Sequence, residues 1–239
     1  MQIHLEQALL TKYPQTQIGY LVAKVAVKKS DPYVEGLKTS LDSHLQELGV
    51  DATTFVTHPG IALWRRIYEE DFQVKAKTYR SSIEALLRRV VTGKEIWNIC
   101  NVVDLYNCCS IFSMLPMGGY DLSKVVGDIT IRFAREGEQF LPLGEWKKID
   151  TETRHVVYAD EERLLCWLWN HKDSAETCID EHSEYVVFFM DGFEEAKVQD
   201  ALKLLSDHLE KIGGAALESG VLNRGSPQAR IQVSVLCDL

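Results

Sequence analysis

No apolar run in these 239 residues approaches the length of a bilayer-spanning helix. The opening MQIHLEQALL lacks the basic start and the cleavage site of a secretory signal. No Pro/Ser-rich linker, low-complexity tract or internal repeat interrupts the chain. There is no phosphate-binding glycine loop, no H-E-x-x-H and no G-x-S-x-G. Seven histidines are scattered without a pair at ligand spacing, and six cysteines form no C-x-x-C. Adjacent Cys108-Cys109 reads as small core residues of a reducing compartment. These absences argue against a membrane-spanning protein and a zinc module. They set the expectation of a soluble, cytoplasmic protein with no metal and no cofactor.

What is present is apolar bulk and an uneven charge. Hydrophobic residues make up 46% of the chain, enough for a sizeable core. The net charge of −9 argues against indiscriminate nucleic-acid binding. Yet Lys75 to Lys94 holds six bases and one acid, whereas Ala159 to Glu195 holds eleven acids and two bases. The acidic block reads as a solvated face. The basic island, with Arg80, Arg88, Arg89 and Lys94, is less expected in an acidic chain and suits phosphates.

Periodicity predicts helices in front and strands behind, hence an α+β class with mixed sheets and flanking helices. A short helix is expected over residues 4–12, and a central strand over Ile18 to Val27. Asp31-Pro32 opens a helix with the stripe Val34, Leu37, Leu41, Leu45 and Leu48. Pro59-Gly60 starts another. Ser81 to Glu84 reads as a capping box before Ile83, Leu86, Leu87 and Val90. Arg80 with Ser81 and Ser82 is a candidate cradle for a carboxylate or phosphate at that helix start. Strands are expected at Ile129–Phe133, His155–Tyr158, Leu164–Leu168 and Tyr185–Met190, then a helix from Phe193 to Ile212. A final strand alternates Ile231, Val233 and Val235. Trp167 and Trp169 are two same-face tryptophans beside a polar cluster, read as core packing or as a stacking surface. Asp180-Glu181-His182 reads as a general-base pair or half a metal site.

The stretch Asn98 to Asp121 organises the rest. It predicts a buried helix to about Met114, on which Asn101, Asp104 and Asn107 recur every three residues. Buried polar groups need partners, at roughly 1–3 kcal/mol each if left unpaired. Either they staple the helix to neighbouring main chain, or they line a polar pocket. Gly118 and Gly119 permit close approach beside it, and Tyr120 with Asp121 adds a ring and a carboxylate.

Asn101-Val102-Val103-Asp104-Leu105, Asn107, Leu115-Pro116-Met117, Tyr120-Asp121-Leu122 and Gly127-Asp128-Ile129 occur in that order. Ile131-Arg132, Ala134, Glu136-Gly137-Glu138 and Tyr158-Ala159-Asp160 follow. This string resembles the B3/4 domain, the editing and tRNA-binding domain of the phenylalanyl-tRNA synthetase beta subunit. The likeness covers about residues 98 to 190. It implies one domain over 1–239 with a B3/4-like core at 78–192 and extensions at both ends.

In that family the domain hydrolyses tyrosine misattached to the phenylalanine tRNA. Two positions depart: the family's histidine stands at Gly118, and its strand glutamate aligns with Phe188. The resemblance therefore implies a binder of tRNA or aminoacyl-tRNA, with hydrolysis of mischarged aminoacyl-tRNA as the expected chemistry and an altered specificity. A complete synthetase is not expected in this length. The alternatives are a non-catalytic pocket for a free amino acid or similar metabolite, without RNA, and a scaffold with neither activity.

Overall fold

Side chains along a strand point alternately to opposite faces, and two strands here are apolar on both. A computed structural model describes residues 1–232. Its elements run β1 (Gln2–Leu5), α1 (Gln7–Lys12), β2 (Gln17–Lys24), α2 (Pro32–Glu47), α3 (Pro59–Arg66), α4 (Ser82–Val91) and α5 (Asn101–Ser113). Then come β3 (Met117–Asp121), β4 (Ile129–Phe133), β5 (Gln139–Phe140), β6 (Ile149–Asp150), β7 (Val156–Ala159), β8 (Leu164–Trp167) and β9 (Lys172–Asp173). The last are β10 (Tyr185–Gly192), α6 (Glu195–Lys211), β11 (Ala215–Leu222) and β12 (Gln228–Arg230).

A four-stranded antiparallel sheet has the order β11-β2-β10-β3. A six-stranded sheet has the order β12-β1-β4-β7-β8-β9, with β1 and β4 parallel. β5 and β6 form a small separate ribbon. One face of the four-stranded sheet carries Leu21, Ala23, Val186, Phe188 and Met190 against Val102, Leu105 and Cys109 of α5 and Val198, Leu202 and Leu205 of α6. The other face carries Ile18, Tyr20, Val22, Val187 and Phe189 against Ile129, Ile131, Tyr158 and Leu165 of the six-stranded sheet. The layers are thus helices, four strands, six strands, and the α+β class is the observed one. Among the described residues no helix is long and apolar enough to cross a membrane.

Local chemistry accounts for several element starts. Asp31 accepts a hydrogen bond from the Tyr33 N–H at 2.9 Å, with Pro32 in the first helical position. Ser81 Oγ accepts from the Glu84 N–H at 3.3 Å. The reciprocal half of that capping box is not made, because the Glu84 carboxylate turns to Arg65 instead. The central helix begins at Asn101 rather than Asn98 and runs to Ser113, capped by Met114, whose φ of 57° is left-handed. Leu48 is exposed, not part of the α2 stripe. Residues 2–5 form a strand where the local pattern suggests a helix, since pairing with β4 and β12 outweighs that pattern. The strands β11 and β12 carry no clear apolar alternation and lie at sheet edges. Val233 and Val235 of the expected final strand lie outside the described residues.

The helix layer packs tightly on the sheet at Val198. A Cβ on Gly192 would lie 2.6 Å from Val198 Cγ2, and one on Gly19 2.7 Å from Val198 Cγ1. A branched valine cannot swing aside, so Gly192→Ala is expected to cost ~1–3 kcal/mol through overpacking. Gly36→Ala, mid-helix in α2 with open space around its Cβ, is expected to gain about 0.5–1 kcal/mol. Urea unfolding of both variants checks the pair.

Candidate functional site

Two of the three polar residues of the central helix, Asn101 and Asp104, work as staples. Asn101 Oδ1 accepts from the Lys28 N–H at 2.7 Å, and its Nδ2 donates to the Ala26 carbonyl at 3.0 Å. Asp104 Oδ1 accepts from the Ile99 N–H at 2.9 Å, and its Oδ2 lies 2.5 Å from Lys38 Nζ. Asn107 is half-buried one turn on. Asn101, Asp104 and Asn107 do not border the hollow described below. The segments that meet the start of this helix need anchoring, and Asn101 ties it to the chain after β2 while Asp104 ties it to Ile99 just ahead of the helix. Asp121 is similarly committed, accepting from Ser183 Oγ at 2.6 Å and from the Ser123 N–H at 2.9 Å.

The two glycines do not form a common floor. They are consecutive in β3, paired with Phe189 and Phe188 respectively. Gly119 faces Phe188 and Ile179 on the helix side, whereas Gly118 faces Asp173, 3.5 Å from where its Cβ would be. Gly118 and Phe188 therefore cannot line one pocket. Phe188 packs on Tyr106 with ring centres 6.0 Å apart. On the Gly118 face β10 presents Val187, Phe189 and Asp191, of which Phe189 and Asp191 border the hollow below.

That face borders a hollow of about 30 Å³ between the two sheets. One wall is a cross-strand row in register, Tyr158 on β7, Cys166 on β8 and Asp173 on β9. The other wall is Gly118 and Tyr120 of β3 with Phe189 and Asp191 of β10. Ser82, at the start of α4, and the turn Trp169-Asn170-His171 complete the lining. Ser82 is tied to that turn by its N–H, which donates to the Asn170 carbonyl at 2.8 Å.

Two carboxyls face the hollow. Asp191 is 4% exposed and accepts from Tyr158 Oη at 2.5 Å and Asn170 Nδ2 at 3.0 Å. Burial outweighs those hydrogen bonds and pushes its pKa up to about 7. Asp173 keeps part of its residue surface while protein atoms ring its carboxylate, which accepts from Tyr120 Oη at 3.1 Å. Burial raises its pKa to about 6. Burial also pushes the Cys166 thiol up, reinforced by the two carboxylates. His171 is held neutral by burial, so its Nδ1–H donates to the Arg80 carbonyl at 2.7 Å. The chemistry available is a partly accessible, near-neutral carboxylate beside room for a water.

The other sequence-derived candidates are dispersed. Ser81 is the cap of α4, and only Ser82 of the Arg80–Ser82 cradle reaches the hollow. Arg80 and Arg88 gather on Glu84. Arg89 Nε donates to the Glu95 carbonyl at 2.8 Å, with its guanidinium 4.3 Å from the Trp97 ring centre. Lys94 is exposed. Trp167 and Trp169 are both buried, and Leu168 and Trp169 turn through left-handed φ of 53° and 64°, so the two rings do not form a free stacking face. His182 and Glu181 are exposed, 3.9 Å apart, while Asp180 pairs with Lys124 at 2.6 Å. No group of three metal-ligating side chains occurs among the described residues.

Sequence reasoning misses Asp173, Asp191, Tyr158 and Cys166 as site residues. Their one usable signal is Asp191, an acid in step with Phe189 at the end of an apolar strand.

The B3/4 domain family model matches residues 65–211. The chain is 34% identical over 92 residues to the phenylalanine–tRNA ligase beta subunit of Chromobacterium violaceum, covering 38% of this chain and 12% of that one. It is 37% identical over 78 residues to that of Aquifex aeolicus, covering 30% and 10%. These matches thus span about a tenth of the length of those relatives. A crystal structure of an N-terminal fragment of the Pyrococcus horikoshii phenylalanyl-tRNA synthetase beta subunit aligns over 90% of this chain and 49% of its own, with a TM-score of 0.47 and 14% identity.

Both carboxyls have folded pKa values above the unfolded 3.8. A raised acid favours the fold fully below pH 4 and loses that contribution as pH rises through 6 to 7. Their contribution is thus expected to make the protein more stable at pH 5 than at pH 8. The difference is a few kcal/mol, because each tenfold change in proton affinity on folding is worth about 1.4 kcal/mol. Asp191→Asn is expected to flatten that dependence in melting curves taken across this range.

Proposed function

The chain belongs to the B3/4 domain family, and from that premise we propose that it binds the acceptor end of a tRNA and hydrolyses an aminoacyl ester there. The observation that carries the reading is the Asp173 carboxylate. It lies at a hollow with room for a water or two, beside the strand position that glycine leaves open, with a pKa about 6. Such a group is ionised at neutral pH and basic enough to draw a proton from water.

In this scheme Asp173 takes a proton from the water as its oxygen attacks the ester carbonyl carbon. Ser82 Oγ, shielded and without a partner among the described residues, donates to the developing oxyanion. The bond from carbonyl carbon to ribose oxygen then breaks, and Asp173 returns the proton to that oxygen. The products are a free amino acid and an uncharged tRNA. The hollow is too small for an amino-acid side chain, so the side chain lies outside it and selectivity among amino acids is weak. The alternative, a pocket for a free amino acid, is favoured by the net charge of −9 and opposed by the same small volume.

Deacylation over a panel of mischarged tRNAs tests the reading. Asp173→Asn is expected to lower the rate by about 10²–10⁴ with tRNA retention unchanged. Hydrolysis no faster than the spontaneous rate, together with a melting shift from one free amino acid, would transfer the assignment to the ligand pocket. Asp104→Ala serves as a stability variant, expected to lower Tm by leaving Lys38 without its shortest ion pair.

A further inference from the structure

Three arginines converge on one buried carboxylate. Glu84 is 1% exposed, and its Oε1 lies 2.7 Å from Arg65 Nη1, 3.4 Å from Arg88 Nη2 and 3.8 Å from Arg80 Nε. One carboxylate against three guanidiniums leaves a local charge of about +2 in an acidic chain. The three side chains remain between a quarter and two-fifths exposed. Arg65 and Arg88 each use one N–H on Glu84, and the Nε atoms of Arg80 and Arg88 have no partner among the described residues. Those two Nε atoms are shielded from solvent, so a ligand would be met by the terminal Nη groups of the partly exposed guanidiniums. The cluster is also held in place. Arg65 projects from α3, Arg88 from α4 with its guanidinium 5.0 Å from the Phe55 ring centre, and Arg80 precedes the α4 cap.

The cluster adjoins the hollow. The Arg80 carbonyl accepts from His171 Nδ1–H, and the neighbouring Ser82 N–H donates to Asn170. Both His171 and Asn170 line the hollow.

We propose that Arg65, Arg80 and Arg88, organised by Glu84, form a phosphate clamp for the single-stranded 3′ end of an RNA. Guanidinium forks match phosphate oxygens in two-point geometry, and a carboxylate shared between them keeps the forks converged without neutralising them. An RNA end held here places its terminal ribose toward Ser82 and the hollow. The choice of RNA as the source of phosphate rests on the proposed function. The clamp itself rests on the arginine geometry. It also relocates the RNA contact, away from Arg89 and Lys94 and onto Arg65 and Arg80.

The test is binding of an uncharged single-stranded RNA ending in CCA to the full chain, as a function of salt. Arg65→Gln and Arg80→Gln are each expected to weaken binding about tenfold. Each should reduce the slope of log K against log salt by about 0.7, the value for one single-strand phosphate contact. Arg80→Lys keeps the charge but not the fork and is expected to fall between. Arg89→Gln and Lys94→Gln are expected to leave the slope unchanged. Parallel slopes for all variants at unchanged Tm would overturn the clamp. So would displacement of the RNA by an acidic peptide or inorganic phosphate at equal charge concentration. Arg80→Lys decides the case if the glutamine variants lower Tm. Because the RNA is uncharged, a failure of ester hydrolysis leaves this result standing, and hydrolysis with unchanged slopes would sink the clamp alone.

Discussion

The strand β10 must satisfy two environments at once, and the rest of the structure depends on how it does so. Its odd and even residues face different layers, with no solvent side to absorb an error of register. Val186, Phe188 and Met190 go to the helices, while Val187 and Phe189 go to the six-stranded sheet. Asp191 falls in the second series. A carboxyl is thereby placed between two sheets, where Tyr158 and Asn170 must serve it. Tyr68 extends the network with its one O–H, shared between the Leu168 carbonyl at 2.7 Å and Asn170 Oδ1 at 3.0 Å. A buried polar chain of this kind holds its shape only when its members are paired.

That network explains the turn between β8 and β9. Leu168 and Trp169 both adopt left-handed φ, at roughly 1–2 kcal/mol for each non-glycine residue. The surrounding structure over-determines the conformation. The Trp169 ring is packed edge-on against Trp64 and Tyr13, and the Trp169 main-chain N–H donates to the Val156 carbonyl at 2.7 Å. The turn aims Asn170 at Asp191, His171 at Arg80, and sets Asp173 opposite Gly118. Backbone strain thus sits beside the hollow that combines carboxyls with partial access, as strain often does at working sites.

Charge shows the same contrast between sum and placement. The basic island is continuous along the chain, yet folding divides it. Arg89 lies on Trp97, whereas Arg80 and Arg88 join Arg65, from outside the island, around Glu84. A local positive surface can therefore exist on a protein of net charge −9, because screening confines each charge to its near neighbours.

Much of the fold was legible in the chain itself. The doubly apolar runs of β2 and β10, the Asp31-Pro32 and Ser81 helix starts and the α6 stripe are set by local spacing and capping, which a sequence displays. The ordered string from Asn101 to Asp160 likewise marked the B3/4 family. The site was not legible, because its members lie far apart in sequence and meet through register. Tyr158, Cys166 and Asp173 become one wall only once three strands align. Gly118 and Gly119 look alike in sequence but face opposite layers once paired. For Asn101 and Asp104, the choice between staple and pocket rested on where Lys28 and Lys38 arrive. Local propensity governs which residues form an element. The partner of a buried polar group is settled by long-range packing, so tertiary structure alone decided which side chains meet at the candidate site.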